Sequence, residues 1–464
     1  MLRSLLYWLY QKRWLILAIA IGTLLYHLPY PEGVSKDGYR TIILTIVVII
    51  LILTEAVPLP GIALFIAVMQ VSFAIAKPSE VAQSYMSDAV FFIMGSLMLA
   101  VAIVRQGLDA RLTLAVLSLT GTRVKTIMWG FFIISLLLTS FIGQHAVVSM
   151  LLPVVLTLLR NISDEEQEIR GLTMMMLFAI AFGSIIGSIG TPSGGARNAI
   201  MINYFSDFGL AKISYLRWMV FAYPVMLVQI PLAGWVLSRT FKPEVTRLDD
   251  AVSKLKTKVA AAGPLTSQQV LAIILFIMIF LAWVFLSERF GLGIIALAGV
   301  FLYLASGLVQ WQEINQRTNW GVVLLFAAAI SLGVQLKNTG AALWLAQQLL
   351  HLSGGFLERF AIAQYSLVIT LTAVVANFIS SSATVAVLGP LFMNFGGDPV
   401  LLGMATAVAS AFGYLTVVGA PAGMIIAATG LVRARDFIRA GWRLTLVSLS
   451  VLMLALLFYW PHIQ

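Results

Sequence analysis

Phe141-Ile142-Gly143-Gln144-His145-Ala146, with Pro153 beyond it, lies over Phe378-Ile379-Ser380-Ser381-Ser382-Ala383 and Pro390 at an offset of 237 residues. A second pair follows in the same order, Ile189-Gly190-Thr191-Pro192-Ser193-Gly194 over Val418-Gly419-Ala420-Pro421-Ala422-Gly423, at an offset of 229. Two ordered matches at nearly one offset predict an internal repeat. All four segments sit inside apolar stretches of 33 to 35 residues, 126–159, 171–205, 362–395 and 400–432. Such a stretch would be about 50 Å long as one helix, against a hydrocarbon core of about 30 Å. The Gly, Ser, Thr and Pro near each midpoint therefore mark places where the helix stops, which a bilayer tolerates only where the backbone is buried in protein or lines a wet cavity. Stretches 126–159 and 362–395 are predicted as re-entrant hairpins, and 171–205 and 400–432 as single crossings unwound midway.

Composition fixes the solvent. Of 464 residues, 60% are hydrophobic and only 10% charged, too few polar groups to cover a soluble core. Single spans are expected at 14–28, 41–57, 60–76, 88–104, 213–238, 268–286, 291–309, 320–336 and 441–460. The first follows Lys12 and Arg13 like a signal peptide, but lacks a small-residue cleavage site and is read as a retained helix. With the two unwound crossings the count is eleven, giving an all-α polytopic membrane protein. It comprises an N-terminal span and external loop (1–40), a first repeat (41–238), a cytoplasmic linker (239–267) and a second repeat (268–464). Each repeat holds five spans, and an odd number inverts the second copy, the arrangement of secondary carriers.

The net charge of +10 would suggest nucleic acid in a soluble chain, but the basic residues fall between the apolar runs and orient the protein instead, so no nucleic-acid partner is expected. With the N-terminus cytoplasmic and the C-terminus external, inner segments collect 20 of the 29 lysines and arginines and outer ones eight. Arg197 is left at depth. An ionisable group there is a functional candidate by default, and its planar fork suits a carboxylate or sulfate. The alternatives are a residue that snorkels from a helix end or pairs with an acid. His145 at a hairpin tip could donate to an anion or exchange protons, or be a neutral histidine held by a carbonyl. Ser380 to Ser382 offer ligand hydroxyls or simply close packing. Glu55 reads as structural and interfacial, and Trp8, Trp14, Tyr26, Tyr30, Trp218, Tyr459 and Trp460 as an aromatic belt. Cysteine is absent, and the four histidines are scattered, which excludes disulfides and a zinc motif.

These residues resemble the divalent anion/sodium symporters, carriers of dicarboxylates, citrate or sulfate. Thr54-Glu55-Ala56-Val57-Pro58-Leu59-Pro60 is similar to that family's signature after its second helix, and Gly107-Leu108-Asp109-Ala110-Arg111 to the segment before its first hairpin. The family's tips carry Ser-Asn-Thr and its helix breaks Gly-Thr-Pro. Here the tips read Gly143-Gln144-His145 and Ser380-Ser381-Ser382, so both asparagines are replaced. The resemblance implies a first cation site at Thr139, Gly143, Gln144 and Gly190, and a second at Ala376, Ser380, Ser381 and Gly419. It implies a substrate pocket of Gln144, His145, Thr191, Pro192, Ser381, Ser382, Ala420 and Pro421, to which Arg197 is added on its own chemistry. It also implies sodium as coupling ion, no other cofactor, a homodimer and a bacterial inner membrane.

The expected function is cation-coupled secondary transport of small di- or tricarboxylates or sulfate. Proton coupling, anion exchange and a channel on the same scaffold remain alternatives. An intramembrane enzyme using His145 is a distant one, since no paired carboxylates or nucleophile–base motif accompany it.

Overall fold

The computed structural model describes residues 12–463 apart from 55, 108–119, 161, 163–167, 211, 251, 254–256, 258–263 and 353–355. Glu55, Leu108 to Arg111 and Trp8 thus lie outside the described residues. Those described are helical, with one isolated bridge between Arg123 and Arg247. The first half runs α1 (Arg13–His27), α2 (Lys36–Thr54), α3 (Leu59–Ser72), α4 (Pro78–Tyr85), α5 (Asp88–Arg105), α6 (Val124–Ile142), α7 (Gln144–Arg160), α8 (Arg170–Gly187), α9 (Ala196–Asp207) and α10 (Tyr215–Thr240). The second runs α11 (Ser267–Phe290), α12 (Leu292–Ala305), α13 (Trp311–Arg317), α14 (Trp320–Asn338), α15 (Ala341–Leu352), α16 (Phe356–Arg359), α17 (Ala361–Ala376), α18 (Ser381–Met393), α19 (Pro399–Ala409), α20 (Pro421–Ala427) and α21 (Ala434–Leu454).

Eight helices among the described residues are long and apolar enough to cross a membrane. Three expected spans are shorter than that: α1, α3 and α12 have 15, 14 and 14 residues. At 1.5 Å per residue, 14 residues reach about 21 Å. The reason is local for the last two. Pro58 starts α3, and Ala74, two residues past its end, takes φ +55°. Gly291 and Gly307, at φ +79° and +68°, bracket α12, conformations that end a helix and suit glycine.

The chain doubles back near Gly143 and again near Ser380. Gly143, at φ +79°, separates α6 from α7 without any loop. Ser135 Oγ donates to Ile180 O and Ser140 Oγ to Gly187 O, so α6 and α8 run parallel and begin at one level. Were α7 to continue along α6, residues 161–169 would have to return over about 50 Å, beyond the reach of nine residues at about 3.4 Å each. Hence α7 folds back. Gly183 and Gly187 let α8 approach α6 closely, since a Cβ on either would strike the Phe132 or Leu136 carbonyl. In the second half Gln364, near the start of α17, donates to Phe395 O just past α18, so that pair folds back too, and α17 runs beside α19.

Each half lends the far piece of its broken helix to the other. Tyr204 of α9 donates to Ala386 O of α18, and Phe205 meets Gly403 of α19. Reciprocally, α20 packs on α7 and α8. The main apolar cluster surrounds α8 and α19, and two smaller ones join α2 to α3 and α14 and to α14 and α15.

One reading changes. Trp218 and Trp460 are fully buried, donating Nε1 to Ile189 O and Phe221 O at 3.0 Å, so they are core residues and not part of a belt. Trp14, Tyr26 and Tyr30 are exposed. The start of the polar stretch 239–267 is also strapped down: Val124 N–H donates to Thr246 O and Leu248 N–H to Thr122 O, while the Glu244 carboxylate accepts Gly171 and Leu172 N–H at 2.6 and 3.0 Å. At the same end of the molecule, Glu313 accepts Gln310 N–H and Arg105 Nε, which hold its carboxyl below the usual carboxylate range.

Candidate functional site

A helix interrupted in an apolar interior exposes carbonyls and amides that must be met internally. In the first half α8 stops at Gly187, and Pro192–Gly194 forms one 3-10 turn before α9 resumes at Ala196. Asn198 Nδ2 takes the carbonyls of Ser188 and Thr191 at 2.9 and 2.7 Å. The Thr191 hydroxyl donates to Ser140 O and accepts Gly194 N–H at 3.2 Å. Ser193 meets Tyr215 Oη at 2.7 Å. The break is thus bound to the hairpin tip beside it.

In the second half the gap between α19 and α20 spans residues 410–420. Asn377, just before the tip, donates to Ala373 O at 2.7 Å and Phe412 O at 3.2 Å and accepts Leu415 N–H at 2.7 Å. Thr416 donates to Asn377 O and accepts Gly419 N–H at 3.1 Å. Thr416 therefore makes the bond pair that Thr191 makes in the first half, one turn earlier than the aligned position, which Ala420 occupies.

Between these tips lies a cavity of about 120 Å³, room for a few waters or one small organic ion. Of the expected pocket, Gln144, His145, Pro192, Arg197, Ser381, Ser382 and Pro421 line it. Thr191 and Ala420 do not; both are buried in the breaks behind it. A larger cavity of about 500 Å³ shares Gly143, Gln144 and His145 and extends to Arg317 and Asn319.

Arg197 stands at the N-terminal turn of α9 and is 1% exposed. Its Nη2 donates to Ser188 Oγ at 2.7 Å and its Nε has no partner among the described residues. No carboxylate pairs with it among the described residues. Neither snorkelling nor an acid partner accounts for it. Burying such a charge without an anion is costly, so the guanidinium makes the cavity electropositive. Gly195 gives it room, because a Cβ there would lie 2.8 Å from Nη1.

The same break holds orphaned acceptors. Among the described residues Gln144 Oε1 and Asn198 Oδ1 are buried without donors, while Gln144 Nε2 donates to Ser188 Oγ at 2.8 Å. Buried polar atoms of this kind call for a ligand, here a cation or a donor. Among the other residues of the first expected cation set, the Thr139 hydroxyl is bonded to Ser184 at 3.1 Å, and Gly190 faces Ser140 Oγ and Met226. In the second set, the Ala376 and Gly419 carbonyls pack closely against Gly413, where a Cβ would strike them, Ser380 caps α18 by accepting Ala383 N–H, and Ser381 lines the cavity. No cluster of His, Asp or Glu able to hold a metal occurs among the described residues. Any ion bound here would meet carbonyl, amide and hydroxyl oxygens, ligands for a hard cation.

His145 lines both cavities and makes no hydrogen bond among the described residues, so the carbonyl-held alternative does not apply. Two residues escaped the sequence reading. Ser188 accepts from both Gln144 and Arg197 and donates to Ile185 O at 2.6 Å, and nothing distinguishes a serine at a helix end as such a hub. Asn377 carried a signal, an amide in an apolar hairpin, one position before the aligned tip.

Comparison with known proteins agrees with this architecture. The family model described as the sodium:sulfate symporter transmembrane region matches residues 10–464. The sodium-dependent dicarboxylate transporter SdcS of Staphylococcus saprophyticus is 24% identical over 479 residues, covering 97% of this chain and 92% of its own. SdcS of Staphylococcus aureus is 24% identical over 477 residues, covering 96% and 91%. Neisseria gonorrhoeae MtrF, described with a class of antimetabolite efflux pumps, superposes with a TM-score of 0.56 at 12% identity over 91% of this chain and 95% of its own, a likeness of fold. With the family match running from residue 10 to the last, this chain is a membrane transporter that belongs to the sodium:sulfate symporter family.

Proposed function

We propose that the protein carries a small multivalent anion, a di- or tricarboxylate or sulfate, across the bacterial inner membrane by alternating access, with sodium as the coupling ion. One observation carries the reading: a fully buried, carboxylate-free Arg197 faces a cavity between two helix-hairpin tips. A dianion would satisfy Arg197 Nε. Gln144, His145, Ser381, Ser382 and the Pro192 and Pro421 turns complete its pocket, with Thr191 and Ala420 behind them.

In this reading the halves are inverted repeats, the hairpins α6–α7 and α17–α18 enter from opposite faces without crossing, and the chain crosses eleven times from a cytoplasmic N-terminus to an external C-terminus. The reciprocal packing of α9 and α20 supports it. The larger cavity then opens inward, and two copies associate as a homodimer. Names of the staphylococcal relatives favour dicarboxylate and sodium. Moving a charge against 100 mV costs about 2.3 kcal/mol, so a dianion entering a negative cell needs more than two sodium ions to be driven electrically. Gln144 Oε1 with the Gly190 region, and the carbonyls around Gly413 with Ser380, are the cation sites of this reading.

His145 supports a second reading, proton coupling or exchange, because it stands unbonded where the two cavities meet. Uptake of labelled succinate, citrate and sulfate into proteoliposomes separates them. Accumulation driven by an imposed sodium gradient is expected. Uptake that needs only a proton gradient or internal anion would transfer coupling to His145 or exchange, and no uptake of any of the three would refute the anion carrier.

A further inference from the structure

At the end where α8 begins, a second basic cavity of about 390 Å³ opens between the start of α8, the end of α10 and the start of α21. Arg170, Arg239, Lys242 and Arg439 line it together with Glu244 and Asp436. Both carboxylates are already engaged. Asp436 accepts Arg170 Nη2 at 3.1 Å and Arg433 N–H at 3.0 Å, and Glu244 accepts the two amides that open α8. Four cations thus face two committed acids, and Arg239, Lys242 and Arg439 have no carboxylate partner among the described residues.

The surroundings indicate the kind of anion. Trp235 and Trp442 are 53% and 46% exposed on the outward sides of α10 and α21. Arg239 lies over the ring of Trp235 at 5.6 Å and Arg443 over that of Trp442 at 5.2 Å. Arg443 Nη1 also donates to Thr240 Oγ1 at 3.2 Å, which sets the two helices side by side here. Exposed tryptophans beside arginines at helix ends mark the headgroup level of a bilayer. A basic pocket between helices at that level is suited to a phosphate headgroup.

We propose that this cavity binds a phosphate group through Arg239, Lys242 and Arg439, and that its source is an anionic phospholipid. The site lies apart from the transport cavity and does not depend on the anion carried. Native mass spectrometry of the full chain, titrated with phosphatidylglycerol and with phosphatidylcholine, tests it. We expect retained phosphatidylglycerol adducts, weakened about tenfold in Arg239→Gln/Lys242→Gln/Arg439→Gln and kept in the charge-conserving Arg239→Lys/Lys242→Arg/Arg439→Lys. Displacement of the lipid by millimolar inorganic phosphate would sustain the phosphate chemistry and name a soluble source. Equal retention of both lipids by the wild type, or undiminished phosphatidylglycerol binding in the glutamine variant, would overturn the proposal. Should the glutamine variant not fold, wild-type adducts measured from 50 to 500 mM potassium chloride decide, since contacts between charges weaken with salt and apolar lipid packing does not.

Discussion

The two helix breaks share a backbone plan and differ in what fills them. Around the first, polar side chains crowd together: Ser188 joins Gln144 and Arg197, and Asn198 spans two carbonyls. Around the second the aligned positions are small. Ala376 stands for Thr139, Gly413 for Ser184 and Ala420 for Thr191, leaving Asn377 and Thr416 to hold the backbone. The two halves thus differ in what they present, the first a fixed charge to the cavity and the second the serines of its tip, with backbone carbonyls packed behind them. The difference predicts that the largest effect on anion binding comes from the first half and the largest effect on the cation from the second, although each half contributes to both.

Arg197→Gln should break this division most severely. A site built around a charged group loses about a hundredfold or more when that group goes, so saturating-sodium uptake of the transported anion should fall at least that far. Arg197→Lys keeps the charge without the bidentate fork and should recover only a fraction. Melting temperature in detergent separates this from misfolding. Unaltered uptake in Arg197→Gln would remove the guanidinium from the pocket.

Gly413→Ala tests the other half. Its Cβ would strike the Gly419 and Ala376 carbonyls, so this backbone must shift and half-saturating sodium should rise by about tenfold, equivalent to about 1.4 kcal/mol. The matching change Ser184→Ala removes only a hydroxyl bonded to Thr139 and should shift sodium dependence no more than about threefold. A reversed order would place the more demanding cation site in the first half.

Ser188→Ala is a finer probe of the polar hub. It deletes the shared acceptor of Gln144 and Arg197, a loss of about 1 kcal/mol in net hydrogen bonding. The expected result is a KM for the anion raised about fivefold with little change in maximal rate, since Arg197 stays buried but is less well aimed. Equal losses in both halves of the kinetic split would make Ser188 a general structural residue instead.

The breaks were legible in the sequence because a stretch of 33 to 35 apolar residues cannot be one helix in a bilayer, and because Gly-Thr-Pro and Gly-Ala-Pro announce where it stops. Arg197 was legible for a related reason, as the basic residue without a loop to occupy. Hydrophobicity alone did not reveal that α3 and α12 fall short of a full span, because apolar loop residues next to Gly291 and Gly307 read like helix. Nor did it separate the buried Trp218 and Trp460 from a headgroup belt, since both lie near segment ends and only packing of α10 against α8 and α21 covers them. Ser188 was invisible, because its role depends on three side chains meeting from three elements.

The smallest contrast lies between the two threonine staples. Thr191 and Thr416 each donate to the carbonyl at the close of the preceding hairpin arm and accept an amide three residues ahead. Their chemistry is equal but their burial is not: Thr191 is fully buried and Thr416 only half-buried. Replacing either by valine takes the hydroxyl donor from that carbonyl, a loss that costs about 1–3 kcal/mol where water cannot reach, while Gly194 N–H keeps the Thr191 carbonyl at 3.2 Å. Thr191→Val should therefore cost about 2 kcal/mol and Thr416→Val about half that, read as the order of melting temperatures in one detergent. Equal shifts would mean that water is excluded from both breaks alike, and that the second half owes its smaller side chains to ion access without any opening toward solvent.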